Sequence, residues 1–266
     1  MTNSESGYIP VPGGKLYYEA AGEGEPVVFV HGFTLDTRMW DDQWNVFASK
    51  YRVVRYDVRG FGRSDLPSAA YANYIDLDAV VQHLGPQRPH VVGLSMGGGI
   101  AADYAANFPE GLRSMTLVDS TLGGYAFPES FRSGVAFGPL AKEKGVKAAI
   151  DAWVAHPFFV PAAEQPAVLA RLNEIVGAYH GYAWTTTETL QETPTPLTAE
   201  NLDAIKVPTL VIVGERDIPE FREVAQHMAE NIAGARLVTV PNAGHMSNME
   251  QPAVVNEAIL SFLGGL

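Results

Sequence analysis

Short, continuous apolar runs alternate along the chain with segments whose apolar residues recur at helical spacing. Runs such as Val27–Val30 and Thr209–Val213 are typical of strands buried on both faces of a parallel sheet. Comparable strands are predicted at 15–19, 53–56, 90–92, 115–118 and 236–240. Helical patterns lie between them, at 75–84, at 99–107 and after Pro252 near the C-terminus. This alternation predicts an α/β fold with a mostly parallel, doubly wound sheet.

The segment from Leu122 to Thr198 breaks this alternation, because it contains no run typical of a buried strand. It holds ten aromatic residues: Tyr125, Phe127, Phe131, Phe137, Trp153, Phe158, Phe159, Tyr179, Tyr182 and Trp184. We predict that residues 122–198 form a helical cap (lid) inserted into a core made of residues 1–121 and 199–266. Ligands of open α/β sheets bind beyond the carboxyl ends of the strands, so the cap is expected to lie there. Most of its aromatic side chains are expected to pack within the cap, and some to face the ligand.

Length, composition and charge limit the classes of protein to which the chain can belong. The 266 residues suit one large domain with an insertion, and the hydrophobic fraction of 47% is ordinary for a compact enzyme. A formal net charge of −12 argues against nucleic acid as a partner, since a polyanion would be repelled. The chain has no cysteine, which excludes disulfides and thiolate chemistry.

Features of membrane or exported proteins are missing from the sequence. The first residues lack the basic and apolar regions of a signal peptide, and no apolar run approaches the ~20 residues that a membrane span needs. Basic residues are not clustered, which argues against binding to an anionic membrane surface. We therefore expect a soluble, cytoplasmic protein without a membrane partner.

The sequence Gly93-Leu94-Ser95-Met96-Gly97 follows one of the apolar runs. A serine with a glycine two residues to either side suits a strand that turns sharply into a helix, because the strained turn needs neighbours with almost no side chain. Such a turn would expose the hydroxyl of Ser95 beside the free backbone N–H groups at the start of the helix. The pattern predicts a nucleophile. A glycine-rich turn that merely contains a serine is the alternative.

A serine hydroxyl is a weak nucleophile at neutral pH and needs a base in hydrogen-bond contact. The strongest candidate is His245, on a glycine-containing loop that leaves the last predicted strand. Asp217 follows the preceding strand and is the best candidate for orienting the histidine, since a carboxylate that accepts the Nδ1 proton fixes the tautomer. Asp119 and Glu215 are alternative acids. The order Ser95, Asp217, His245 is the one expected when the nucleophile lies on such a turn.

Acyl transfer also requires N–H donors for the oxyanion that forms during the reaction. The backbone N–H of Met96, at the start of the helix, is one candidate, and that of Phe33, in the loop after Val27–Val30, is the other. His31 in the same loop is predicted to brace it. The charged loop at 57–65 is predicted to contain an internal Arg–Asp brace.

Together these motifs resemble the α/β-hydrolase superfamily over residues 8–263; they comprise His31-Gly32-Phe33, Asp57-x-Arg59-Gly60-x-Gly62-x-Ser64, Gly93-x-Ser95-x-Gly97-Gly98, Pro208–Asp217 and Ala243-Gly244-His245. More narrowly, the chain is similar to small serine esterases, enol-lactonases, carbon–carbon hydrolases and cofactor-free haloperoxidases. The resemblance implies an eight-stranded sheet with a helical cap, a Ser95–His245–Asp217 triad, and an oxyanion hole from the N–H groups of Phe33 and Met96. The segment between Arg59 and Ser95 is about one helical turn shorter than in this superfamily, which implies a reduced helix.

The complete set of candidates predicts a serine hydrolase that cleaves small to medium, apolar carboxylic esters through an acyl-enzyme. Its substrate pocket is expected to be lined by Trp153, Phe158, Tyr182 and Trp184. Hydrolysis of lactones or of carbon–carbon bonds could use the same triad, and a non-catalytic receptor for a small ligand is a further alternative. Dehalogenation and epoxide opening are disfavoured, since relatives that perform them carry aspartate where Ser95 stands.

We expect neither a cofactor nor a metal ion. The sequence has no HExxH-type metal spacing, and its Gly97-Gly98-Gly99 run lacks the glycine pattern and the following acidic residue of a dinucleotide site. The expected partner is a small ester or lactone substrate.

Overall fold

An eight-stranded sheet forms the centre of the protein. In the computed structural model, which describes residues 4–187 and 190–266, the strands are β1 (Ser4–Val11), β2 (Gly14–Ala21), β3 (Pro26–Val30), β4 (Arg52–Tyr56), β5 (His90–Leu94), β6 (Ser114–Val118), β7 (Thr209–Gly214) and β8 (Arg236–Val240). Their order in the sheet is β1-β2-β4-β3-β5-β6-β7-β8. Strand β2 is antiparallel to β1 and β4, and all other neighbours are parallel. The predicted α/β fold with a mostly parallel sheet is confirmed.

The burial of each strand explains its sequence. Every residue of β3, β5, β6 and β7 is buried, which accounts for their largely apolar sequences. The edge strands β1 and β8 expose most of their residues and have mixed sequences. The central strands therefore carry the hydrophobic core, and their carboxyl ends form one edge of the sheet.

Helices connect the strands and flank the sheet: α1 (Asp41–Ala48), α2 (Asn73–His83), α3 (Met96–Asn107), α4 (Glu129–Gly134), α5 (Gly138–Lys144), α6 (Val146–Val154), α7 (Val160–Ala163), α8 (Pro166–Gly177), α9 (Tyr182–Thr185), α10 (Pro219–Asn231), α11 (Ser247–Glu250) and α12 (Pro252–Leu263). The predicted helices at 75–84, at 99–107 and after Pro252 correspond to α2, α3 and α12. Helix α1 contacts α12, and α2 contacts α3. Among the residues that the structure describes, no helix has the length and apolar character to cross a membrane.

In the described part of the chain between β6 and β7 lie the helices α4 to α9, within the segment predicted to form the cap. Helix α6 is bonded to the loop after β3 through the indole of Trp153 and the hydroxyl of Thr34, which are 2.7 Å apart. Arg216, in the loop after β7, forms two hydrogen bonds of 2.6 and 2.7 Å with Glu164. These contacts place the segment over the carboxyl ends of the parallel strands.

Candidate active site

Ser95 lies in a strained turn between β5 and α3. Its φ of 52° and ψ of −115° fall in a region that residues other than glycine rarely adopt. Packing requires the two flanking glycines: a Cβ on Gly93 would lie 2.2 Å from the carbonyl oxygen of Gly97, and a Cβ on Gly97 would lie 2.2 Å from that of Val30. The sharp strand-to-helix turn predicted from the glycine spacing is confirmed.

His245 and Asp217 form a buried hydrogen-bonded pair. Nδ1 of His245 lies 2.9 Å from Oδ2 of Asp217. Because an ionised carboxylate can only accept, Nδ1 carries the proton and Nε2 is left to accept one. His245 and Ser95 line the same small cavity, of about 30 Å³. The structure thus brings together the three residues of the expected triad beyond the carboxyl ends of β5, β7 and β8.

The two alternative acids bind other groups. Asp119, after β6, is fully buried; its Oδ1 accepts from the N–H of Gly214 at 2.8 Å and its Oδ2 from the hydroxyl of Ser247 at 2.6 Å. Glu215 accepts from a backbone N–H of the loop after β8 at 3.1 Å. Asp119 therefore joins the end of β6 to the end of β7 and the start of α11, and Asp217 is the carboxylate that bonds to the imidazole.

Three carboxylates influence the imidazole of His245. Burial alone would lower the pKa of His245, but the charges of Asp217, Asp119 and Glu250 outweigh burial and raise that pKa above its usual value. Burial and the charge of Asp217 raise the pKa of Asp119 well above the usual range of a carboxyl. The three carboxylates stabilise positive charge on the imidazole once it has taken a proton.

Despite these carboxylates, the described residues contain no group of three or more acidic or histidine side chains that could hold a metal ion.

Glu250 is a residue of this site that sequence reasoning missed. It is 3% exposed, and its Oε2 and Oε1 accept from the N–H groups of Gly244 and Met246 at 2.6 and 3.0 Å. These two residues flank His245, so one carboxylate holds the histidine loop from both sides. No local sequence pattern marks this residue, because its partners are backbone N–H groups.

The loop after β3 is braced as predicted. Nε2 of His31 accepts from the N–H of Val58 at 2.9 Å, so its Nδ1 carries the proton and donates to the carbonyl of Gly32 at 2.8 Å. Phe33 follows directly and lines the same cavity as the serine and histidine candidates. Met96 is the first residue of α3, so its N–H has no carbonyl partner within the helix.

The loop at 57–65 contains the predicted Arg–Asp brace. Oδ2 of Asp57 accepts from the backbone N–H of Arg63 at 2.8 Å and lies 3.5 Å from its guanidinium. A second pair reaches outside the loop, since Arg59 donates twice to Asp76 of α2, at 2.7 Å each. This buried, two-pronged contact joins the loop to α2.

Two of the expected pocket residues lie beside the serine and histidine. Trp153 and Phe158 line the 30 Å³ cavity, and the ring of Phe158 stacks on His245 with centroids 4.7 Å apart and an interplanar angle of 22°. Phe158 comes from the short helical turn after α6, so the segment between β6 and β7 packs against the imidazole.

The other two expected pocket residues lie apart from the imidazole. Tyr182 lines a second cavity, of about 210 Å³, that is also bounded by Phe33, Met96 and Tyr71. Trp184 is buried behind Phe33, with centroids 6.0 Å apart, and is not among the residues that line either cavity. Phe33 lines both cavities, and Met96 lines the larger one.

Known proteins are similar to this chain in fold and sequence. An esterase from Thermogutta terrifontis is 28% identical with a TM-score of 0.84, over 98% of each chain. The enol-lactonase from Burkholderia xenovorans LB400 is 27% identical with a TM-score of 0.83, over 97% of this chain and 100% of its own. A carboxylesterase of Bacillus subtilis is 26% identical over 98% of this chain and 88% of its own.

The family described as the alpha/beta hydrolase family matches residues 27–258. Together with the eight-stranded sheet, this match confirms the resemblance drawn from the motifs and its esterase and enol-lactonase branch. The chain belongs to the alpha/beta hydrolase family.

Proposed function

We propose that this protein is a serine hydrolase that cleaves small to medium, largely apolar carboxylic esters. The observation that carries the proposal is the environment of His245, which is bonded to Asp217 at 2.9 Å and lines the cavity that Ser95 also lines. A serine on a strained turn, an oriented base and helix N–H groups are the parts that acyl transfer needs. The similarity to an esterase and an enol-lactonase over nearly the whole chain supports an activity of this class.

In the proposed reaction, Oγ of Ser95 forms a bond to the carbonyl carbon of the ester while Nε2 of His245 takes the hydroxyl proton. The carbonyl oxygen becomes an oxyanion that accepts from the N–H groups of Phe33 and Met96. Collapse of this intermediate breaks the bond to the alcohol oxygen, which takes the proton from His245 and leaves. Asp217 stays ionised and stabilises the imidazolium.

The acyl-enzyme is then hydrolysed by the same groups. Nε2 of His245 takes a proton from water as the water oxygen adds to the acyl carbon. The second oxyanion collapses, the bond to Oγ of Ser95 breaks, and that oxygen recovers the proton from the imidazole. The products are one carboxylic acid and one alcohol, and the enzyme returns to its starting state.

The two cavities suggest the size of the substrate. The cavity of about 30 Å³ beside Ser95 has room for only a few water molecules, since one water needs about 10–15 Å³. The second cavity, of about 210 Å³, begins at Phe33 and Met96 and extends to Tyr182. We propose that one arm of the ester is small and that the other occupies the second cavity.

The test is hydrolysis of p-nitrophenyl esters from acetate to octanoate by the wild type, Ser95→Ala and the control Ser133→Ala. Ser133 is an exposed serine of α4, so its loss should change nothing. We expect turnover by the wild type and the control, none by Ser95→Ala, and labelling by an organophosphonate at Ser95 alone. Hydrolysis by Ser95→Ala at the wild-type rate would refute the proposal. Failure of the wild type to hydrolyse or be labelled, with tight binding of a small molecule, would favour a receptor instead.

Lactone hydrolysis is a second candidate that the similarity to an enol-lactonase favours. The same serine, base and N–H donors would open a cyclic ester, and the released hydroxyl would stay attached to the acyl group. A screen of lactones beside linear esters separates the two. If lactones are turned over far faster than every linear ester, the protein is a lactonase.

A further inference from the structure

A tryptophan of the cap is hydrogen-bonded to the loop that carries Phe33. The indole Nε1 of Trp153, in α6, donates to Oγ1 of Thr34 at 2.7 Å, and that hydroxyl donates to the carbonyl oxygen of Phe33 at 2.6 Å. Thr34 is 1% exposed and Trp153 is 6% exposed. A threonine hydroxyl has one proton, so accepting from the indole and donating to the carbonyl fixes its orientation. We call this chain of two hydrogen bonds the Trp153–Thr34 relay.

Thr34 has a backbone conformation that its side chain disfavours. Its φ is 62°, in the left-handed region, where a β-branched residue is an outlier. It is the third residue of a turn closed by a hydrogen bond of 3.2 Å from the N–H of Leu35 to the carbonyl of Gly32. With positive φ, this position ordinarily holds glycine or asparagine. Such strain persists where the surroundings impose it and is concentrated at functional sites.

The turn 32–35 is held from two directions. From the core, His31 donates to the carbonyl of Gly32, which belongs to the same peptide unit as the N–H of Phe33. From the cap, the relay holds the next peptide unit, whose carbonyl is that of Phe33. The ring of Phe33 also packs edge-on against Trp153, with centroids 5.9 Å apart. The bond from Trp153, which fixes the orientation of the Thr34 hydroxyl, therefore exists only while the cap lies on the core.

We propose that Trp153 and Thr34 are positioning residues for the oxyanion hole, so that docking of the cap sets the direction of the Phe33 N–H. The inference rests on the proposed ester hydrolysis. It adds that the rate of the chemical step depends on a contact made by the cap. The N–H donors of an oxyanion hole are preorganised around the position that the oxyanion occupies in the transition state. They form weaker hydrogen bonds with the carbonyl oxygen of the bound substrate. Loss of the relay should therefore lower kcat and leave KM nearly unchanged.

The experiment compares Trp153→Phe, Thr34→Val and Thr34→Ser on the p-nitrophenyl ester that the wild type turns over best. Phenylalanine keeps an aromatic ring without the N–H, valine keeps the branched shape without the hydroxyl, and serine keeps the hydroxyl. Removal of a whole oxyanion donor costs about 10²–10³-fold in kcat, so a misdirected donor is expected to cost about 10- to 50-fold. Trp153→Phe and Thr34→Val should show this loss with little change in KM, and Thr34→Ser should react nearly as the wild type does.

Two measurements separate positioning from general destabilisation. An aryl trifluoromethyl ketone forms a tetrahedral adduct with Ser95 whose oxygen occupies the oxyanion hole, so its Ki should rise by the same factor as kcat falls. The double variant Trp153→Phe/Thr34→Val should be no slower than Thr34→Val, because Thr34→Val already removes both hydrogen bonds of the relay. The control Trp44→Phe makes the same change in α1, where the ring packs on Arg55, and should leave kcat and Ki unchanged.

Distinct results overturn the proposal and the function on which it rests. If Trp153→Phe and Thr34→Val fold and retain wild-type kcat and Ki, the relay does not position the hole, and the proposed esterase function still stands. Losses that multiply in the double variant, or a Thr34→Ser variant as slow as Thr34→Val, also overturn it. If the wild type forms no adduct at Ser95 and hydrolyses no ester, the proposed function itself has failed.

Discussion

Glu250 offers a prediction whose size follows from its two hydrogen bonds. In Glu250→Gln only one side-chain oxygen remains, so one of the N–H groups of Gly244 and Met246 loses its acceptor and faces an amide donor. A buried unpaired N–H costs about 1–3 kcal/mol, and a hydrogen bond to a charged group contributes about 1.5–3 kcal/mol. Allowing for local relaxation, we expect the free energy of unfolding to fall by about 2–4 kcal/mol.

The same change removes one of the negative charges that raise the pKa of His245. The base acts only when neutral, so ester hydrolysis rises with pH through this pKa, and the acidic limb of kcat/KM should move to lower pH. Urea unfolding at neutral pH measures the first effect, and a pH profile of kcat/KM measures the second. Glu257→Gln, the same change at an exposed position of α12, is the matched control and should alter neither. An unfolding midpoint equal to that of the wild type, or an unmoved limb, would refute the reasoning.

Three further predictions concern other parts of the site and the core. Gly97→Ala should lower kcat by about 10²-fold or more, because the added Cβ would lie 2.2 Å from a carbonyl oxygen at the end of β3. The control Gly177→Ala places its Cβ in open space and should keep the wild-type kcat, so equal kinetics of the two variants would contradict the prediction. Asp217→Asn should lower kcat by about 10³–10⁴-fold. It should also shift the acidic limb of the kcat/KM profile to lower pH, since it removes the main charge that raises the pKa of His245; an unchanged profile would contradict the proposed pairing of Asp217 with His245. Burial raises the pKa of Asp103 to about 6, above the ~3.9 of an unfolded aspartate, so its contribution to stability is lost as pH rises from about 4 to 6. Asp103→Asn should abolish that slope and add about 1–3 kcal/mol at pH 7, as urea unfolding at pH 4.5 and 7 would show; an unchanged slope would refute it.

The central strands could be predicted because burial on both faces requires an unbroken apolar run. Strand β1 could not be located in this way. It lies at the edge of the sheet with most of its residues exposed, and its position comes from pairing with β2 along its whole length. Its eight residues therefore show neither a continuous run nor a clean alternation, and the eighth strand could be expected only from the resemblance to a family.

The residues of the candidate triad could be proposed because each follows a predicted strand and carries the side-chain type that its role requires. Glu250 and Thr34 act through contacts that no local pattern encodes. Glu250 accepts from two backbone N–H groups, and backbone groups are the same in every sequence. Thr34 bonds with a tryptophan 119 positions away, and the positive φ that marks it out is visible only in the folded chain.

The direct pairing of β6 with β7 has a consequence for how such a protein can change over evolution. These strands are neighbours in the sheet, and the N–H of Ala199 donates to the carbonyl of Gly123 at 2.8 Å, so the two ends of the segment 122–198 lie close together. The entropy of closing a loop grows only slowly with its length, so this segment can be lengthened, shortened or exchanged while the sheet persists. Selection can then alter which molecules are admitted and leave the chemistry intact. If the proposed relay positions the oxyanion hole, any replacement segment would have to place a hydrogen-bond donor next to the hydroxyl of Thr34.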